Sequence, residues 1–95
     1  MYNHTIMIKL SETNQENTQK VKNALAGLSG AVPTLRDIEV GDNTGESKNA
    51  WNIFVKARFD NIDGYHQYQK HPAHLEVATV IRPFMAEVAI VDFED

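Results

Sequence analysis

Four segments of the chain carry apolar residues in the pattern of β-strands. Apolar and polar positions alternate over residues 4–10, 51–59 and 87–93, and a shorter apolar segment covers residues 35–40. Because successive side chains of a strand point to opposite faces, a period of two is typical of strands. The pattern therefore predicts four strands, and the third contains the longest apolar stretch.

A further segment has the apolar spacing of an amphipathic helix. Its apolar residues recur at intervals of three and four positions: Val21, Ala24, Leu25 and Leu28. Such a stripe lies on one face of a helix and packs against a core. Thr13 and Glu16 have the spacing of a capping box, which predicts the start of this helix, and Gly30 stands where a left-handed turn would end it.

The region after residue 60 predicts a second helix with a break. It begins near position 61 or 62, and Tyr65 and Tyr68 lie one turn apart in it. Pro72 lacks an amide hydrogen and disfavours helical geometry at His71, so we expect the helix to stop there and to resume from about Ala73. The resumed helix has three candidate inward residues: Leu75, Ala78 and Ile81.

The order of these elements, β-α-β-β-α-β, predicts the fold class. With right-handed crossovers it is most simply arranged as a ferredoxin-like α+β fold, a four-stranded antiparallel sheet with the helices on one face. The polar segment at residues 41–49 is rich in turn-forming residues and is expected to be an exposed loop. At this length, residues 1–95 are expected to form a single domain.

The first and last strands carry apolar residues on both sides, which bears on assembly. Met7 in the first strand, and Val91 and Phe93 in the last, point away from the face that the helices are expected to cover. An antiparallel sheet with one face in water should alternate more cleanly. A second copy of the chain packed on this face would hide these side chains in a self-complementary contact. The sequence therefore predicts a homodimer formed through the sheet face.

Composition narrows the classes of function. The chain has 9 basic and 13 acidic residues, a formal net charge of −4 and no long run of like charge, so nucleic-acid binding is not expected. It contains no cysteine, which excludes disulfides, thiolate catalysis and zinc–thiolate sites. No apolar segment is long enough for a membrane span, and the N-terminus lacks the pattern of a signal peptide. We therefore expect a soluble, cytoplasmic protein without a membrane partner.

Several short motifs occur in an order that is similar to one protein family. The segment His71-Pro72-Ala73-His74 is preceded by Tyr68, followed by Ile81-Arg82-Pro83-Phe84 and closed by Val91-Asp92-Phe93-Glu94. Together with the strand that begins at His4, these motifs resemble the stress-responsive α/β-barrel (Dabb) family over nearly the whole chain. The resemblance implies a ferredoxin-like subunit whose sheet packs against a second copy to close a dimeric α/β-barrel. It also implies a small cavity between each sheet and its helices.

The resemblance further implies two catalytic residues. In a plant member of the family, a polyketide thioester chain is closed by an aldol step in this cavity, and the residues that act there match His74 and Tyr68. An imidazole with an ordinary pKa of about 6.5 accepts a proton near neutral pH, here from carbon flanked by carbonyls. Tyr68 would donate a hydrogen bond to the oxygen on which charge develops. These roles predict a metal-free cyclase or lyase site without a cofactor.

Four further positions are candidates for contact with a small-molecule ligand: His4, Ile53, Tyr65 and His71. His4 faces inward from the first strand and is placed to orient a polar group. By the same resemblance, Ile53 stands where the plant cyclase has a further histidine in its cavity, which indicates a different substrate or none. The tyrosines also have a structural alternative, which is packing, and His71 and His74 have another, which is capping of the helix start.

Alternative interpretations stay open at this point. His66, His71 and His74 lie close together in the sequence, but Pro72 breaks the helical register between them, so convergence on a metal ion is not expected. The chain either binds or converts a small hydrophobic carbonyl compound or is a non-catalytic dimeric stress-response protein. Similarity of fold alone adds a cofactor-free monooxygenase as a third candidate. A cleft with both His74 and Tyr68 in its wall would favour the first.

Overall fold

The computed structural model describes residues 1–95, and its elements follow the predicted order. They are β1 (Tyr2–Leu10), α1 (Gln15–Ala26), β2 (Asp37–Asp42), β3 (Ile53–Phe59), α2 (Ile62–Lys70), α3 (Pro72–Ile81), a 3₁₀ turn (Arg82–Phe84) and β4 (Met85–Glu94). The predicted break at Pro72 is confirmed, because the second helical region consists of two helices, α2 and α3. None of the helices has the length and apolar character that a membrane span requires.

The four strands form one antiparallel sheet in the order β2-β3-β1-β4. Strand β1 is interior, and its Ile6 lies opposite Val55 of β3 on one side and Ile90 of β4 on the other. Strands β2 and β4 are therefore the edges of the sheet. With the helices packed on one face, this arrangement confirms the predicted α+β, ferredoxin-like class.

The core lies between the helices and the central strands. The largest fully buried side chains of the sheet point toward the helices: Ile8, Ile53 and Phe59. Val21, Leu25 and Leu28 are buried in the same cluster, as the helical stripe predicts. Burying a side chain of this size stabilises a fold by roughly 2 kcal/mol relative to leaving it exposed. This layer therefore holds the helices in place above the sheet.

Helix α1 begins one residue later than the capping-box spacing predicts. The side chain of Asn14, and not that of Thr13, accepts a hydrogen bond from the backbone amide of Asn17, at 2.8 Å. The predicted Thr13 cap is wrong because asparagine is the stronger cap and here directly precedes the first helical residue. Gly30 has a φ of 79°, as expected for a left-handed turn, but a segment of turns separates it from the helix end at Ala26.

Helix α3 turns toward the core a face that agrees only in part with the predicted one. Leu75 is 54% exposed, so its assignment to the inward stripe is wrong. Ala73 and Val77 pack against the core instead, and Ile81 is buried as predicted. Because α3 begins anew at Pro72, the turn between α2 and α3 sets the rotation of α3 about its own axis. That rotation directs Ala73, Val77 and Ile81, which are four positions apart, toward the sheet.

The sheet face opposite the helices carries exposed apolar side chains. Four of them form what we call the open-face patch: Met7, Phe54, Val91 and Phe93. A cleft of about 230 Å³ lies beside three of them, Met7, Phe54 and Val91. As predicted, the first and last strands therefore place apolar side chains on both faces of the sheet. Those on the open face are not covered by any other part of the chain.

Candidate functional site

A cleft of about 250 Å³ opens between the sheet and helices α2 and α3, along the edge strand β4. Its apolar wall combines side chains of both layers: Ile6, Ala78, Ile81, Val88 and Ile90. The helices leave the outer part of β4 uncovered, so Val88 and Ile90 are 42% and 60% exposed although they lie on the helix side of the sheet. The cleft is therefore open to solvent, and its volume lies just below the usual range of small-molecule sites, which begins at about 300 Å³.

Four of the residues predicted for the site line this cleft: His4, Tyr65, Tyr68 and His74. They come from three elements, because His4 is on β1, the tyrosines are on α2 and His74 is in the first turn of α3. The ring centroids of His4 and Tyr65 are 4.7 Å apart, which shows that α2 lies directly over this part of β1. The fold thus brings residues from both ends of the chain to one surface.

The corner between α2 and α3 sets the spacing of a tyrosine–histidine pair. The Nδ1 atom of His71 accepts a hydrogen bond from the amide of Ala73 at 3.0 Å, which caps the start of α3. Pro72 occupies the first turn of α3, where its missing amide hydrogen is not needed. The resulting corner places the ring centroids of Tyr68 and His74 4.4 Å apart.

The imidazole of His74 is arranged as a neutral base. Its Nδ1 atom lies 3.3 Å from the carbonyl oxygen of Gln69, and because a carbonyl only accepts hydrogen bonds, Nδ1 carries the proton and Nε2 keeps its lone pair. Burial lowers the pKa of His74 below its ordinary value. The Gln69 hydrogen bond opposes this shift, and charge on His4 adds to it. At neutral pH, His74 is therefore able to accept a proton at Nε2.

The phenol of Tyr68 is arranged as a hydrogen-bond donor to a ligand. Tyr68 is only 4% exposed, and burial raises the pKa of its hydroxyl to about 12. This hydroxyl has no hydrogen-bond partner in the protein. Every fully buried side-chain nitrogen or oxygen atom of the chain does have a partner, so the hydroxyl oxygen is not fully buried. The hydroxyl must therefore reach the accessible space of the cleft, where its proton is available to a bound molecule.

Strand register pairs His4 with an acidic residue. Asp92 lies directly opposite His4 in the β1–β4 ladder, and its Oδ1 atom is 2.7 Å from Nδ1 of His4. The hydroxyl of Tyr2 donates to Oδ2 of Asp92 at 2.9 Å, and burial, together with this carboxylate, raises the pKa of Tyr2 to about 12. Nδ1 of His4 is therefore engaged with this carboxylate, and its Nε2 atom has no hydrogen-bond partner within the chain.

Sequence reasoning missed Asp92, although the chain contains a signal for it. Asp92 follows Val88 and Ile90 at the same parity in β4, so alternation alone assigns it to the helix side of the sheet. An acidic residue on an otherwise apolar inward face requires a polar partner. That partner, His4, is known only once the two strands are placed side by side.

Tyr65 supports the His4–Asp92 pair from helix α2. Its ring centroid lies 5.2 Å from that of Tyr2, in addition to its contact with His4. Its hydroxyl oxygen accepts a hydrogen bond from Nε2 of Gln69 at 2.8 Å, and burial raises its pKa. Tyr65 is therefore held within the protein by packing and hydrogen bonding, and it contributes to the cleft wall.

Two of the predicted ligand-contact residues lie outside the cleft wall. Ile53 is buried in the core on β3, and His71 uses its ring to cap α3. His66 is exposed on α2. No group of three or more histidine, aspartate or glutamate side chains is arranged to hold a metal ion, so the three neighbouring histidines do not form a metal cluster.

A larger concavity, of about 310 Å³, lies at the other end of the sheet, beside the loop between β2 and β3. Met7, Trp51 and Phe54 contribute its apolar wall, and Asp42 is its only titratable residue. It contains no pair of groups that could share or transfer a proton. The cleft beside α2 and α3 differs from this concavity, because two imidazoles with free Nε2 atoms and one free phenol line its apolar space.

Comparisons with known proteins agree with this architecture. The model of a family described as Stress responsive A/B Barrel Domain matches residues 2–95. A stress-response A/B barrel domain-containing protein of Arabidopsis thaliana is 22% identical over 95 residues, which cover 97% of this chain and 84% of that protein. Olivetolic acid cyclase of Cannabis sativa is 25% identical over 93 residues, which cover 95% of this chain and 92% of the cyclase.

Solved structures show the same fold. A protein of unknown function from Bacteroides fragilis, described as dimeric and ferredoxin-like, has a TM-score of 0.84 and 28% sequence identity with this chain. The match covers 99% of this chain and 95% of that one. The strand order and the helix placement described above are therefore shared with an experimentally determined relative.

Proposed function

This chain belongs to the stress responsive A/B barrel domain family, and from that membership we propose that its cleft binds a small hydrophobic compound that carries a carbonyl group. The observation that supports this most is the Tyr68–His74 pair, whose rings lie 4.4 Å apart in the wall of an open apolar cleft. The relative named olivetolic acid cyclase supports conversion of the bound compound as well as binding.

In the proposed reaction, Nε2 of His74 takes a proton from a carbon atom next to the carbonyl group. The C–H bond breaks, its electron pair shifts to the carbonyl oxygen and an enolate forms. The hydroxyl of Tyr68 donates a hydrogen bond to that oxygen as its charge develops. The proton held by His74 is then returned to the enolate carbon or, where the molecule has a second carbonyl group to which that carbon bonds, to the new alkoxide.

His4 has a positioning role in this proposal. Asp92 holds the imidazole at Nδ1, which leaves Nε2 free to form a hydrogen bond with a polar group of the ligand. Tyr65 restricts the ring from the other side, at 4.7 Å between centroids. A ligand would thus be bound at two points, at the Tyr68–His74 pair and at His4.

A homodimer formed through the open-face patch is the second part of the proposal. The patch leaves large apolar side chains in water, and a two-fold mate would cover them with an identical surface. The similar structure from Bacteroides fragilis is described as dimeric. Because the cleft lies on the opposite, helical side of the sheet, both subunits of such a dimer would keep it accessible.

Exchange of ketone protons for deuterium tests the proposed base. In heavy water, we expect the wild type to accelerate exchange at the carbons next to the carbonyl of methyl hexyl ketone, as followed by proton NMR. His74→Gln should reduce this acceleration about 100-fold, because it removes the base. Tyr68→Phe should reduce it about tenfold or more, because it removes the hydrogen-bond donor to the enolate oxygen.

His66→Gln is the matched control for this experiment. It changes an exposed histidine on α2 that does not line the cleft, so exchange should continue at the wild-type rate. If His74→Gln exchanges protons as fast as the wild type, His74 is not the base. If the ketone binds but the exchange of its protons is not accelerated, the protein is a binding protein rather than an enzyme.

A further inference from the structure

Arg82 is the only residue in the cleft wall that carries a permanent charge. It follows the last residue of α3 and begins the 3₁₀ turn that leads into β4. The other polar side chains of the wall are imidazoles, phenols and one amide. Any electrostatic preference of the cleft for a charged ligand therefore depends first on this guanidinium.

The guanidinium of Arg82 has no partner in the protein. Lys9, Lys20, Lys22, Arg36 and Arg58 are each paired with a carboxylate, whereas Arg82 makes neither a salt bridge nor a side-chain hydrogen bond. The chain has a net charge of −4, so acidic residues are not scarce. An unpaired, exposed guanidinium beside an apolar cleft is free to form a bidentate contact with an anionic group of a ligand.

Arg82 and His74 are separated by the length of helix α3. Arg82 follows His74 by eight residues, which at about 1.5 Å per helical residue places their Cα atoms roughly 12 Å apart along the helix axis. The flexible arginine side chain shortens the distance that a ligand has to span. The proton-transfer groups therefore lie toward one end of the cleft and the cation toward the other.

The wall between these ends is apolar. It consists of Ile6 and Ile90 from the sheet, with Ala78 and Ile81 from α3 above them. Such a wall favours an aliphatic chain and offers no partner for polar groups along it. A ligand that satisfies the whole cleft has a carbonyl group at one end, an apolar chain in the middle and an anion at the other end.

We propose that the substrate of this cleft is an aliphatic oxo acid whose carboxylate is bound by Arg82 while its carbonyl group lies at the Tyr68–His74 pair. This inference rests on the proposed function and adds the substrate class to it. Arg82 is then a specificity-determining residue and takes no part in proton transfer. It selects carboxylates over neutral ketones of equal length.

A matched pair of ligands tests the proposal. The probes are oxooctanoate with its ketone at the penultimate carbon, and the methyl ester of the same acid, titrated into the protein and followed by NMR. We expect the carboxylate to bind the wild type about three- to tenfold more tightly than the ester, with the preference declining as salt is added.

Three variants identify the source of the preference. Arg82→Gln should remove it, and Arg82→Lys should keep part of it because the charge remains. Lys70→Gln is the matched control, since it removes an unpaired surface cation outside the cleft and should leave the preference intact. A cation at the end of α3 also offsets the helix dipole, so the ratio between the two ligands, rather than stability, is the readout.

The outcomes separate this inference from the proposed function. Equal affinity for acid and ester in the wild type, or a preference that persists in Arg82→Gln, overturns the role of Arg82. If Tyr68→Phe still weakens both ligands in that case, the proposed function stands without it. If neither ligand binds, both proposals fall.

Discussion

His74 and Tyr68 respond to the same burial in opposite directions, and both responses suit proton transfer. Removal from water disfavours the charged form of each side chain, which lowers the pKa of His74 and raises that of Tyr68 to about 12. At neutral pH the imidazole is therefore an unprotonated base, and the phenol keeps the hydrogen that it donates. The apolar cleft therefore favours the neutral forms that the proposed base and the proposed donor both require.

Acidification should destabilise the fold in part through His74. In the unfolded chain the imidazole titrates at about pH 6.5, whereas burial lowers the folded pKa below that value. Below about pH 6.5 the unfolded state therefore binds more protons, and the free energy of unfolding falls as pH falls. Urea unfolding between about pH 7 and pH 5 should show a shallower decline for His74→Gln than for the wild type. Parallel declines in the two proteins would contradict this prediction.

Alkaline conditions test Tyr68 in the opposite direction. Its folded pKa is about 12, against about 10 for an unfolded tyrosine, so its stabilising contribution is complete below pH 10 and is lost as pH rises toward 12. Between about pH 9 and pH 11 we expect the wild type to lose about 1 kcal/mol more of its free energy of unfolding than Tyr68→Phe does. The check is urea unfolding at both pH values. Equal losses would show that the surroundings of Tyr68 do not raise its pKa.

At the scale of secondary-structure elements, the site depends on two junctions. The β1–β4 ladder places Asp92 opposite His4, and the corner between α2 and α3 places Tyr68 against His74. Neither pair is formed within a single helix or strand. A change at either junction should therefore alter the site even where no cleft residue is replaced.

The corner is tested at His71, whose role is to cap α3. His71→Ala removes the acceptor for the amide of Ala73 and should cost about 1 kcal/mol in free energy of unfolding. It should also slow the exchange of ketone protons for deuterium, because the distance between Tyr68 and His74 is then less well fixed. His71→Asn supplies another capping acceptor and should restore most of both properties. If the asparagine variant folds stably but binds ketone poorly, His71 contacts the ligand, as the sequence analysis expected.

At the scale of the whole molecule, the two faces of the sheet have different surroundings. The helical face contains the core and, along β4, the cleft, whereas the other face carries the open-face patch. This division separates the proposed ligand site from the proposed dimer contact. It predicts that disrupting the dimer leaves the cleft in place, so ketone binding should survive in a folded monomer.

A charge in the open-face patch should prevent dimer formation. Val91 is 64% exposed on that face, and Val91→Glu would place a carboxylate in the proposed contact, where it has no partner. Sedimentation equilibrium should give twice the mass of one chain for the wild type and the mass of one chain for the variant. Val80→Glu is the control, because Val80 is similarly exposed but lies on α3. A wild-type protein that sediments as a single chain would rule out the proposed contact.

The local features of this protein follow from its sequence. A period of two over residues 51–59 places Ile53, Val55 and Phe59 on the buried face of β3, and the stripe that starts at Val21 packs as predicted. Pro72 divides α2 from α3 because proline has no amide hydrogen to donate. The family motifs also selected His4, Tyr68 and His74, which line one cleft.

Only the tertiary structure decided which distant residues meet. The pairing of His4 with Asp92 depends on the register of the β1–β4 ladder. The exposure of Leu75 depends on the rotation of α3. Arg82 lies in the cleft wall because α3 ends beside β4. Periodicity reports the faces of an element, since it arises from backbone geometry within that element. The alignment of one element against another arises from packing between segments far apart in the chain, which no local pattern contains.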